Sequence, residues 1–164
     1  MTSFRVGLSA AFTRADGKPT FPSCDWSALE GTNRVEVVKM APGNTLTKEL
    51  VADYDALVLM GEKVTTDSFR DDGRLKLLAR MGVGFDRIDV PACTENDVAL
   101  TITPDGVRRP MASSVVLFIL ALAHKLLEKD RVTRTGPLGW PARLDFFGTG
   151  LSSRTLAIIG LGNI

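Results

Sequence analysis

Five short apolar runs divide the first 102 residues, and polar or helix-forming segments separate them. They are Phe4–Leu8, Val35–Met40, Ala56–Met60, Leu75–Arg80 and Val98–Ile102. Runs of this length, bounded by turn residues, read as strands. The third is apolar throughout, as expected where helices cover both faces of a sheet. Between the runs, Asp25 offers an N-cap for a short helix over 26–30, and Asn44 one for a helix from Leu46 to Tyr54. Thr66 to Arg70 reads as a helical turn. Asp89 begins a helix to Glu95, with Pro91 tolerated in its first turn. This β-α rhythm predicts an α/β fold with a parallel sheet.

Thr103-Pro104-Asp105-Gly106 is a strong turn and the expected domain boundary. One long helix is expected after it, from about Arg109 to Glu128, with Pro110 in its first turn. Its middle is apolar nearly all round, which marks a helix buried on several sides. Gly136 to Gly150 carries four glycines, two prolines, Trp140, Phe146 and Phe147 and reads as an irregular arm. A last strand, Leu156-Ala157-Ile158-Ile159, runs into Gly160-Leu161-Gly162-Asn163-Ile164. That sequence opens a G-x-G-x-x-G phosphate turn and stops one residue before its third glycine. The chain therefore reads as the front part of an enzyme, cut where its cofactor site begins.

Composition narrows the function classes. The chain of 164 residues is 45% hydrophobic and 24% charged with a net charge of +1, the balance of a soluble globular protein. Nothing in that charge marks a nucleic-acid partner or an acidic membrane surface. The most apolar stretch, Val115 to Ala123, falls short of the roughly 20 residues that cross a bilayer. Met1 to Gly7 lacks the apolar core of a signal peptide. Cys24 and Cys93 have no motif spacing, no metal-ligand pattern is visible, and a reducing cytoplasm is the expected location.

Three segments in register carry a resemblance. They are ARMGVGFDRIDVPACTENDVALTITPDGVRRP (Ala79 to Pro110), the long helix with its LFILALA core, and GTGLSSRTLAIIGLGNI (Gly148 to Ile164). Together they resemble the D-isomer-specific 2-hydroxyacid dehydrogenases. The resemblance implies a flavodoxin-like substrate domain over residues 1–105. Residues 106–164 would then be the first helix and first strand of an incomplete Rossmann domain. It also implies a nicotinamide cofactor, NAD or NADP, a small 2-keto or 2-hydroxy acid as substrate, and a homodimer when full-length.

The motifs take roles accordingly. Gly82-Val83-Gly84 follows the fourth strand directly. Glycines there make a tight strand-to-helix turn, or let an arc of backbone N–H groups approach a carboxylate. The resemblance places Gly82, Val83 and Gly84 at the substrate, with Val83 also near the cofactor. In the phosphate turn, Gly160 permits the tight bend and Gly162 lets the pyrophosphate approach, with Asn163 and Ile164 beside it. Asp86 and Asp89 read as caps of the following helix, and Asp71 and Asp72 as a solvated turn. His124, the only histidine, sits near the end of the long helix and reads as structural. In the family the acid/base histidine, its carboxylate partner and a substrate-binding arginine follow the phosphate turn, so no catalytic residue is expected in this chain.

The chain also departs from the family. Phosphoglycerate-type members commonly carry an Arg-Ser pair at the end of the third strand, where this chain has Leu59-Met60-Gly61-Glu62-Lys63. Ala112-Ser113-Ser114 replaces a frequent Ala-Glu, and Ser153 stands where glycine is frequent. Two other functions fit the same residues. One is an NAD-responsive corepressor-like binding module; the other is a non-catalytic dimerising fragment.

Overall fold

The computed structural model describes residues 3–31, 33–70 and 73–164. Asp71 and Asp72, the expected solvated turn, lie outside the described residues. The chain divides into two compact units, one ending at Pro104 and the other running from Asp105 to Ile164.

The first unit is a five-stranded parallel sheet of β1 (Phe4–Leu8), β2 (Val35–Lys39), β3 (Ala56–Leu59), β4 (Leu77–Arg80) and β5 (Ala99–Ile102), in the order β2-β1-β3-β4-β5. This is the flavodoxin-like order, with its topological switch between β1 and β3. Central β3 pairs Leu57 with Gly7 on one side and Leu78 on the other. Leu57 and Leu78 have no exposed surface, which is why β3 reads apolar without alternation. The core continues through Leu46, Leu59, Val64 and Cys93. Both cysteines are free thiols, and burial, then the charge of Asp89, pushes the Cys93 thiol up.

The helices of this unit are short: α1 (Ser27–Glu30), α2 (Lys48–Val51) and α3 (Val90–Glu95). Asp25 does engage the start of α1, accepting from the Ser27 amide at 2.9 Å. Asn44 does not cap α2. Thr47 takes that role, its hydroxyl accepting from the Leu50 amide at 3.3 Å. Leu46 and Val51 flank the cap and are both buried in one cluster, the arrangement of a hydrophobic staple. The Asn44 carbonyl instead accepts from the Lys63 amide. Asp89 caps α3 as expected, through the Ala92 amide at 3.0 Å.

The second unit departs more from expectation. Its long helix starts earlier and breaks earlier, giving α4 (Asp105–Ala123) and α5 (Leu126–Arg134). Pro110 therefore lies inside α4 rather than in its first turn. The break falls at His124-Lys125, where Lys125 turns left-handed with φ +51°. No residue of α4 is buried, contrary to the expected burial on several sides. Its apolar side chains lack a covering layer among the described residues, and Leu117, Phe118, Leu122, Leu126 and Leu127 line an apolar cleft of about 360 Å³. By length and composition alone, the 19-residue α4 is long and apolar enough to cross a membrane.

The arm forms two 3₁₀ turns, Gly136–Gly139 and Pro141–Asp145, with the Arg143 guanidinium 3.9 Å above the Trp140 ring. Leu156 to Ile159 joins no ladder among the described residues and is exposed, correcting the expected terminal strand. A strand exists by pairing, and no described segment pairs with it. Ser153 holds φ +62°, a left-handed conformation that suits glycine and costs a serine about 1–2 kcal/mol.

Candidate functional site

In a doubly wound sheet, ligands bind beyond the carboxyl ends of the strands near the switch point. Three loops meet there. One leaves β1 at Ser9, one leaves β3 at Met60-Gly61-Glu62, and one leaves β4 at Met81-Gly82-Val83-Gly84. A cavity of about 130 Å³ opens between the last two, lined by Leu59 to Glu62 on one wall and by Arg80 and Gly84 to Ile88 on the other.

The glycine loop is fixed at its first residue and open after it. Gly82 has φ +127°, donates its amide to Thr103 Oγ1 at 2.7 Å, and accepts from the Thr103 amide at 2.9 Å. These bonds tie the loop to the end of β5. The amides of Val83 and Gly84 take no protein partner among the described residues, and both residues are exposed. Of the three positions named from sequence, Val83 and Gly84 therefore present free donors, and Gly82 supplies the bend. The Arg80 guanidinium folds over Gly82 and donates to the Met81 carbonyl. Substituting Gly82 by alanine forces a side chain into this backbone and against that guanidinium. We expect a loss of about 1–3 kcal/mol, read as a shift in urea midpoint with unchanged slope.

Glu62 forms the opposite wall. Its carboxylate accepts from the buried Ser9 hydroxyl and from the Met60 and Gly61 amides, each at 3.0 Å. Burial alone would raise its pKa. The Ser9 hydroxyl and the amides of Glu62, Met60 and Gly61 outweigh that and hold the carboxyl below its usual value. The group is thus a fixed anion. Neither Ser9 nor Glu62 stood out in the sequence as a site residue. The available signal was a charged residue placed just after a wholly apolar central strand.

Asp55, at the other end of the sheet, has the same balance. Burial opposes its charge, but the Arg5 amide at 2.7 Å and the Arg74 guanidinium at 3.4 Å prevail, so its pKa is lowered. A carboxyl with a folded pKa below its unfolded one stabilises the protein above the unfolded value, and loses that contribution as pH falls through the folded one. Unfolding followed by circular dichroism below about pH 4 should therefore show an acid limb that is shallower in Asp55→Asn and Glu62→Gln than in the parent.

The other residues named from sequence are placed as follows. Asp86 lines the cavity and is exposed, and it caps no helix. His124 is exposed in the turn after α4, with Gly148 packed closely against it. Gly160 holds φ +86°, which suits the first glycine of a phosphate turn, and a Cβ at Gly160 or Gly162 would meet nothing within 4 Å. No group of metal-ligating side chains occurs among the described residues.

A five-stranded parallel sheet in the order β2-β1-β3-β4-β5 defines a flavodoxin-like α/β domain. Comparison with known proteins narrows this class. Residues 16–157 match the D-isomer specific 2-hydroxyacid dehydrogenase catalytic domain. A glyoxylate reductase from Thermococcus onnurineus is 37% identical over 123 residues, 71% of this chain and 36% of that protein. The fold is similar to that of D-2-hydroxyisocaproate dehydrogenase, with a TM-score of 0.71 and 17% identity, covering 98% of this chain and 47% of the other. It is also similar to that of an NAD-dependent formate dehydrogenase from Staphylococcus aureus in complex with NAD, with a TM-score of 0.66 and 18% identity, over 90% of this chain and 46% of the other. The chain belongs to the D-isomer specific 2-hydroxyacid dehydrogenases. It spans little more than a third of the length of the glyoxylate reductase it matches.

Proposed function

We propose that the complete protein transfers hydride between NAD or NADP and a small D-2-hydroxy acid, working as a reductase of a 2-keto acid such as glyoxylate or hydroxypyruvate. The observation that carries this reading is the pair of unclaimed amides at Val83 and Gly84, held at the carboxyl end of β4 by the Gly82–Thr103 bonds. They suit a substrate carboxylate, and the Arg80 charge beside them favours the same anion. The unit up to about residue 105 is then the substrate domain, and residues 106–164 begin the cofactor domain.

Gly160, Gly162, Asn163 and Ile164 would hold the cofactor pyrophosphate, with Val83 on the nicotinamide side. The cofactor, when bound, donates or accepts the hydride. The 164 residues alone would be inactive, because the family's acid/base histidine and its partners have no counterpart among them. The exposed apolar face of α4 and the aromatic arm support a homodimer of the complete protein, the two free thiols suit a reducing cytoplasm, and the near-neutral charge offers nothing to a nucleic-acid partner.

The complete protein should consume NADH or NADPH when glyoxylate or hydroxypyruvate is added, followed by the absorbance of the reduced cofactor. Absence of turnover with either cofactor across a panel of small 2-keto acids would overturn the reading.

A further inference from the structure

The cavity beside the glycine loop is electrically polar. At the loop end stands Arg80, over Gly82, and Arg87 lies on the same wall with its guanidinium turned toward the Asn44 carbonyl at 3.4 Å. Asp86 shares that wall and offsets part of this charge. At the far end stands Glu62, held ionised by the Ser9 hydroxyl and two amides. Beyond Glu62 a second, wider cleft of about 490 Å³ opens, lined by Ala10, Ala11, Pro42, Gly43, Asn44 and Gly61. Glu62 is the only charged residue in that lining.

A molecule whose carboxylate sits on the Val83 and Gly84 amides would lie at a cavity that Gly84 and Glu62 line together. A group on its remaining carbons that reaches the second wall meets the Glu62 carboxylate, whose bonded partners are the Ser9 hydroxyl and backbone amides. We propose that Glu62 sets substrate specificity by admitting 2-keto acids whose distal group is neutral and hydroxylated and rejecting those that carry a second anion. This rests on the function proposed above and deepens it.

The chemistry is direct. An ionised carboxylate is an acceptor only, so it takes a hydrogen bond from a substrate hydroxyl and offers none to a second carboxylate. A second carboxylate or a phosphate at the same place brings like charges together in a half-buried setting, where their repulsion is only weakly screened. The three bonds also fix Glu62 in place, so it cannot swing away from an approaching anion.

The test compares hydroxypyruvate with oxaloacetate on the complete protein, as the ratio of their kcat/KM values. The parent should favour hydroxypyruvate. Glu62→Gln, which keeps an acceptor but removes the charge, should raise the relative kcat/KM of oxaloacetate by at least about tenfold, mainly through KM. Glu62→Asp, which keeps the charge, should retain the discrimination. An unchanged ratio in Glu62→Gln, or discrimination lost in Glu62→Asp, overturns the role of Glu62 while leaving the reductase reading intact. No turnover of any 2-keto acid by the parent overturns both.

Discussion

Truncation of Leu57 to alanine should destabilise the sheet unit by about 2–5 kcal/mol, the largest loss expected from a single core substitution in this chain. Leu57 lies at the middle of the central strand, paired to Gly7 and Leu78, and none of its surface is exposed. Removing its isobutyl group forfeits the transfer energy of the buried carbons. It also leaves a cavity that rigid neighbours on two paired strands cannot collapse into. The measurement is urea unfolding followed by the fluorescence of Trp26, which packs edge-on to Phe12 at 5.2 Å within the same unit. Trp140 belongs to the other unit, so Trp140→Phe in the background makes Trp26 the sole reporter. A midpoint that barely moves would mean that β3 is not the centre of the core.

The same strand explains why much of the fold was legible in the sequence. A parallel strand covered on both faces must be apolar at every position, and Ala56-Leu57-Val58-Leu59 is. Strand β1 coincides with its expected span, because Gly7 and Ser9 leave little choice of boundary around Val6 and Leu8. The misplacements have local causes. Asn44 and Thr47 are both good N-caps, and composition alone does not choose between them. The choice is made by Leu46 and Val51, which reach one core only if the helix starts at Lys48. The break at His124-Lys125 carries no glycine or proline to announce it, since lysine rarely turns left-handed. The exposure of α4 follows from tertiary context: an all-round apolar helix is buried only where other elements cover it.

The candidate site was half legible for a similar reason. Gly82 to Gly84 announce themselves as a glycine turn after a strand. That Gly82 spends its amide on Thr103 is a contact across 21 residues of sequence, and no local pattern encodes it. Ser9 and Glu62 are 53 residues apart and meet only because β1 and β3 are neighbours at the switch point. Strand order, more than residue type, makes them a pair.

Strand order also makes Gly7 unforgiving, and Gly7→Ala should cost about 1–3 kcal/mol. A Cβ there would stand 2.7 Å from Leu57 Cδ2, 3.0 Å from Met40 Cγ and 3.0 Å from Tyr54 Cδ1. All three side chains are buried, so each can give way only by leaving its own packing. Central strands usually disfavour glycine, which offers nothing to pack and loses more freedom on folding. Here β2, β3 and the segment after α2 converge on one point and fill the space that a side chain would take. If this crowding is the cause, the two core substitutions must couple. Leu57→Ala removes the methyl nearest the new Cβ, and the new methyl occupies part of the space that leucine leaves. The double variant Gly7→Ala/Leu57→Ala should therefore be more stable than the sum of the single losses predicts, by about 0.5–3 kcal/mol in a double-mutant cycle. Strict additivity would assign the cost of Gly7→Ala to backbone conformation instead. The ordinary extended geometry of a strand interior argues against that outcome, since alanine adopts it freely.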